Sequence, residues 1–108
     1  MDKALAEIDF KKEGGLIPVI MQDINTKEIL TLAYANKEAL ELTIKSGKAW
    51  FWSRERKKLW MKGEESGNYQ TVRKVLVDCD SDALVYLVEP AGPACHTGKR
   101  TCFHNELR

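Results

Sequence analysis

The chain has 108 residues, and its 17 Lys and Arg nearly cancel its 16 Asp and Glu, leaving a formal net charge of +1. This length suits one domain spanning residues 1–108 and excludes a second independently folding unit, while the charge balance excludes nucleic-acid or membrane binding driven by bulk charge. No apolar run is long enough to span a bilayer and the first fifteen residues lack the apolar core of a secretion signal, so a cytoplasmic protein is expected.

In chain order, residues 2–12 are read as a short amphipathic helix or a frayed arm, broken by Gly14-Gly15. Leu16 to Met21 is apolar and β-branched, and Asn25-Thr26 separates it from Ile29 to Tyr34, so the two runs predict a hairpin with Pro18 at an edge or at the strand start. Asn36 is a suitable cap for a helix over about 37–46, with Ala39, Leu40, Thr43 and Ile44 on one face and Gly47 as its stop. Four further strands are expected at Ala49 to Ser53, Leu59 to Lys62, Thr71 to Cys79 and Ala83 to Val88. The sum is an α+β domain: a β-rich antiparallel sheet with one main helix. After Glu89-Pro90 the sequence becomes irregular. A core this small gains stability from a metal or a subunit partner.

The three cysteines cannot all pair within one chain, and a reducing cytosol disfavours disulfides. Cys79 closes a predicted strand, whereas Cys95 and Cys102 lie in the Gly- and Pro-containing tail, so a shared metal would tie the tail to the sheet. Thiolates suit zinc, and three protein ligands leave a fourth position open for water, the arrangement of catalytic zinc. The spacing contains no C-x-x-C pair, and cysteine is often simply buried, so zinc ligation and inert burial stand level on spacing alone. In Asp78-Cys79-Asp80-Ser81-Asp82, strand alternation would put three carboxylates on one side and Cys79 on the other. Carboxylates suit Mg²⁺, but a fully extended chain would hold residues 78 and 82 roughly 13 Å apart. Either the chain bends after Asp80 or only two carboxylates share an ion; an ordinary acidic turn is the competing reading.

Residues 50–64 carry all three tryptophans and five basic side chains. Aromatic faces can stack on a purine, and Arg or Lys can hold phosphate, although Trp50 and Trp52 share a strand face and at least one belongs to the core. The polar loop Glu64 to Asn68 has backbone N–H groups that could cradle phosphate.

Taken together, Leu16 to Asp23, Leu32-Ala33-Tyr34, Phe51-Trp52-Ser53-Arg54, Leu59-Trp60, Lys62-Gly63-Glu64, Ser66-Gly67, Gln70-Thr71-Val72, Asp78 to Asp82, Ala94 to Gly98 and Cys102-Phe103 resemble the phosphoribosyl-AMP cyclohydrolases of histidine biosynthesis. The resemblance spans most of the chain and raises zinc above inert burial. It implies an intertwined homodimer in which Cys79, Cys95 and Cys102 bind zinc shared between subunits, while Asp78, Asp80 and Asp82 bind magnesium. It further implies hydrolytic opening of the C6–N1 bond of the adenine ring by a zinc-activated water, with no nucleic-acid or membrane partner. His96, next to Cys95, is the candidate general acid/base. Arg54, Lys62, Glu64 and Ser66 are the candidate substrate contacts, Arg54 and Lys62 for phosphate. Glu55, Asn68 and Thr101 depart from the family's usual Ser or Thr, His and Ser. The chain is too short to hold the fused pyrophosphohydrolase domain of some relatives, so only the cyclohydrolase step is expected. Two alternatives are a zinc-dependent nucleobase deaminase, whose H-x-E and P-C-x-x-C elements are absent, and a non-catalytic zinc-stabilised dimeric binding module.

Overall fold

A computed structural model describes residues 4–12 and 14–108. Asp2 and Lys3 of the expected N-terminal helix fall outside that range; within it the segment forms only a 3-10 turn at Leu5–Glu7. Among the described residues six strands follow with one α-helix: β1 Ile17–Asp23, β2 Ile29–Ala35, α1 Lys37–Ser46, β3 Trp50–Ser53, β4 Lys58–Met61, β5 Gln70–Val77 and β6 Leu84–Pro90. The helix has the expected bounds. Asn36 Oδ1 accepts the Ala39 N–H at 2.8 Å, and Gly47 ends the helix at φ 74°, a left-handed conformation that glycine adopts at no steric cost.

The expected β-rich antiparallel sheet proves to be mixed, with one parallel pairing. Four strands form one sheet in the order β2-β1-β6-β5, and β1 and β6 run parallel, Val19 opposite Leu84 through Asp23 opposite Val88. Parallel neighbours require a long crossover, which here comprises β2, α1, the separate β3–β4 hairpin and β5. Pro18 lies before the β6 ladder begins, so its missing N–H falls at the strand start of an interior strand.

One sheet face supplies the core: Ile17, Val19 and Met21 of β1 and Leu84, Tyr86 and Val88 of β6, with Phe51 of the small hairpin and Ala39 and Leu40 of α1. Ile44, expected on the same helix face, is instead exposed; the buried stripe stops at Thr43. Thr43 Oγ1 donates to Ala39 O and accepts the Trp50 N–H, both at 2.9 Å, locking the helix to β3. Tyr86 stacks on Phe51 with centroids 5.6 Å apart, and its burial pushes the phenol up to about 12. On the opposite sheet face, Pro18, Ile20, Leu32, Leu76 and Val85 line an apolar groove, and Leu32 and Leu76 are exposed.

Asp23 is a buried carboxylate at the end of β1. Burial opposes its ionisation, but the N–H groups of Asn25 and Thr26 and the Arg100 guanidinium outweigh that and hold it below the usual carboxylate range. A carboxyl with a depressed native pKa stabilises the fold above its unfolded value, about 3.9, and that contribution is lost as pH falls through the native value. Asp23→Asn is therefore expected to melt lower than the wild type at pH 7, with the gap narrowing in thermal melts below about pH 4.

Candidate active site

The site grows from two loops that leave the sheet at the same end. The first joins β4 to β5 through Lys62, Gly63, Glu64 and Ser66; the second is the tail after β6. Ala91 N–H donates to Tyr69 O at 2.8 Å and Gln70 Nε2 reaches Asn68 O at 3.0 Å, so the first loop is held to β5 and to the start of the second. Between them lies a cleft of about 560 Å³, bordered by Trp60, Lys62, Glu64, Ser66, Cys95 and His96.

Asn68 is the joint between the loops. A Cβ at Gly63, where φ is 88°, would lie 2.4 Å from Asn68 O, and one at Gly92 would lie 2.2 Å from Asn68 Oδ1. The Gly63 clash is with backbone and the Gly92 clash with a side-chain end, which can rotate away. Gly63→Ala should cost about 1–3 kcal/mol in urea unfolding through overpacking, with left-handed backbone strain added, and Gly92→Ala should cost less. Replacing Asn68 by Ala should rescue the Gly92 variant but not the Gly63 variant.

In the tail, Cys95 N–H donates to Lys99 O at 3.1 Å and Gly98 N–H to Cys95 O at 3.0 Å, closing a tight loop around Cys95. The Cys95 thiol is buried and lies 3.1 Å from Thr97 Oγ1. That hydroxyl, the Thr97 N–H, the neighbouring Cys102 thiol and the Lys62 charge together hold its pKa below the ordinary cysteine value, against the opposing effect of burial. His96 is exposed at the cleft wall.

Of the site residues expected from sequence, Cys95, His96, Lys62, Glu64 and Ser66 come together in the cleft, and Cys102 lies against Cys95. Arg54 does not join them. Its guanidinium lies 3.9 Å from the Tyr34 ring centroid, in a neighbouring hollow that shares Arg56 and Trp60 with the cleft. Cys79 is exposed in the turn after β5 and does not line the cleft.

That turn also corrects the picture of an extended segment with opposed faces. β5 stops at Val77; Ser81 N–H donates to Asp78 O at 3.1 Å, Asp82 N–H to Asp78 Oδ1 at 3.0 Å, and Ser81 takes φ 62°. The bend starts at Asp78, earlier than expected, and brings carboxylate oxygens of Asp78, Asp80 and Asp82 within 4.8 Å of one another. Among the described residues this is the one group of three or more metal-capable side chains so close together. Lys12 Nζ contacts Asp82 Oδ2 at 2.9 Å, and Asp9 N–H donates to Ser81 O at 2.7 Å, so the N-terminal arm rests on this turn. The ion pair raises the Lys12 pKa and lowers that of Asp82.

Comparison with known proteins adds the deciding observation. The family model for phosphoribosyl-AMP cyclohydrolase matches residues 31–104. Proteins of that name are 69% identical in Nitrosopumilus maritimus over 108 residues, covering 100% of both chains, and 69% identical in Cenarchaeum symbiosum over 107 residues, covering 99% of both. The phosphoribosyl-AMP cyclohydrolase of Archaeoglobus fulgidus is 63% identical over 95 residues, 88% of each chain. The chain belongs to the phosphoribosyl-AMP cyclohydrolase family.

Within this cyclohydrolase cleft, sequence reasoning missed three contributors. Asn68 stood out as the end of a polar loop and as a departure from the family's usual residue, yet it wedges between Gly63 and Gly92. Thr97 received no role, although it contacts Cys95 Sγ. Arg100 drew no attention either, and it turns out to anchor the tail. The glycines at 63 and 92 were the available signals, but a glycine in a loop does not by itself reveal which neighbour needs the space.

Proposed function

We propose that this chain hydrolytically opens the adenine ring of phosphoribosyl-AMP at the C6–N1 bond, in the histidine-biosynthetic step for which its family is named, as a cytoplasmic homodimer using zinc and magnesium. The observation that carries the reading is a cleft lined by Cys95 and His96, with Cys102 against Cys95, in a chain of that family.

The donor sets suit the two metals. Cys95 and Cys102 form a soft pair whose first member is already biased toward thiolate, and zinc prefers such ligands. The carboxylates of Asp78, Asp80 and Asp82 form a hard oxygen set of the kind magnesium takes. Bound zinc supplies a means of ionising water near neutral pH, lowering its pKa toward about 7. The third thiolate is Cys79 of a second copy. This chain's own Cys79 lies in the turn that follows Leu76 and Val77 of the apolar groove, so packing two copies on that groove would carry Cys79 across to the other subunit.

The chain's own residues then bind and orient. Trp60 offers an aromatic wall in the cleft, with Lys62 Nζ 5.5 Å from its ring centroid. Lys62 and Arg54 hold the two phosphates, one in each of the adjoining hollows, while Glu64 and Ser66 supply polar contacts to substrate. His96 moves a proton between the attacking water and the leaving ring nitrogen.

Incubation with phosphoribosyl-AMP should change the ultraviolet spectrum as the ring opens. Full zinc occupancy without turnover would mark a binding module instead, and release of ammonia would mark a deaminase. Light scattering should report a dimer; an active monomer would contradict a metal site shared between subunits.

A further inference from the structure

The segment that carries Cys95 and Cys102 has no strand or helix, and between residues 93 and 102 only Ala94 and Cys95 are buried. Several of its hydrogen bonds are internal, such as Ala94 N–H to Arg100 O at 3.2 Å. Its outward bonds from residues 100–102 run to the β1–β2 hairpin. Cys102 N–H donates to Leu30 O at 2.7 Å, and Thr101 Oγ1 to Ile29 O at 2.5 Å. Arg100 Nε donates to Glu28 Oε1 at 2.6 Å, while its Nη2 reaches Asp23 Oδ2 at 3.2 Å and Thr26 Oγ1 at 3.3 Å.

Asp23 gives this contact its fixity. Its side chain is only 5% exposed, and Oδ1 already accepts Asn25 N–H at 2.8 Å and Thr26 N–H at 3.2 Å. One buried carboxylate therefore shapes the hairpin turn and receives the guanidinium. An exposed ion pair contributes little, but a planar guanidinium forked between an immobilised carboxylate and a second one fixes direction as well as distance.

We propose that Arg100 is a positioning residue for the thiolate pair: by clamping the tail to Asp23 and Glu28, it sets where Cys102 stands relative to Cys95. The inference rests on the zinc reading above. Arg100 touches neither thiol. Its carbonyl holds Ala94 on the approach to Cys95, and its side chain registers the residues leading into Cys102. Losing the clamp lets the spacing between the two sulfurs drift while the sheet and helix stay intact.

The test uses the full-length protein loaded with zinc, and separately with cobalt as a spectroscopic reporter. Arg100→Met should weaken zinc about 10–100-fold in chelator competition, the range seen when outer-shell partners of a metal site are removed. It should also shift the cobalt–thiolate absorption bands, with far-UV circular dichroism unchanged. Arg100→Lys keeps the charge but not the fork and should recover only part of the affinity. Arg73→Met breaks the Arg73–Glu89 pair, 2.9 Å long and similarly exposed but joining β5 to β6 rather than holding residues 94–102, and should leave both readouts at wild-type values. Should Arg100→Met fail to fold, Glu28→Gln removes the charge from the shortest arm of the clamp and should produce the same shift on a smaller scale. Wild-type affinity and cobalt bands in a folded Arg100→Met or Glu28→Gln variant would overturn the clamp alone. A wild-type protein that takes up no zinc would overturn the zinc reading, and the clamp with it.

Discussion

Exchange of His96 for Asn is expected to lower kcat about 10²–10⁴-fold, the range supplied by a positioned general acid or base. Zinc content and melting temperature should remain at wild-type values. His96 is exposed on the cleft wall and takes no part in the core, so removing its ring leaves the packing that holds the tail unchanged. Asn retains a polar side chain of similar reach without an imidazole to give or take the proton. Opening of the adenine ring requires a proton to leave the attacking water and another to arrive at the departing nitrogen, and His96 borders the cleft beside Cys95. Spectrophotometric turnover measured alongside metal analysis separates the outcomes: unchanged kcat would reduce His96 to a spacer in the loop, and zinc lost together with rate would make it part of the metal site.

Cys95→Ala should lose zinc and activity together. Loss of a direct ligand is expected to exceed the roughly 10–100-fold loss of affinity that follows removal of an outer-shell partner. The substitution removes a small, buried sulfur and with it the contact to Thr97, so a modest fall in melting temperature is also expected. Cys79→Ala offers a useful contrast, because this thiol is exposed in a turn away from the cleft of its own chain. Mixing Cys79→Ala with Cys95→Ala subunits and finding partial recovery of turnover would fit a site assembled from two chains. A fully active, zinc-free Cys95→Ala protein would refute the metal assignment.

How much of this was legible in the sequence varies with the range of the interactions. Helix α1 was readable because Asn36 and Gly47 specify its ends through local bonds and a single backbone conformation. Ile44 misled because its helical phase suits the core face, yet the buried stripe of the helix ends at Thr43. Strand direction was unreadable. β1 shows the strict in-and-out alternation of a half-buried strand, which is the same whether its neighbour runs parallel or antiparallel. The acidic turn was half readable: chain geometry demanded a bend, but the left-handed Ser81 that makes it carries no signal in residue type. The cleft followed the same rule. Cys95 and His96 announced themselves by their chemistry, whereas Asn68 reaches Gly92, 24 residues on, and Arg100 reaches Glu28, 72 residues back.

The parallel pairing of β1 with β6 also sets a timetable. The β1–β2 hairpin can close early, but the other edge of β1 has no partner until Leu84 and its successors are made, some 60 residues after Asp23. At about 5–20 residues per second of synthesis, that edge waits roughly 3–12 s with Val19 and Met21 uncovered. An unpaired apolar strand edge invites pairing with other chains. Crowded expression, or a stall before residue 84, should therefore favour aggregation of nascent chains over release of folded protein, and slower initiation should raise the soluble yield.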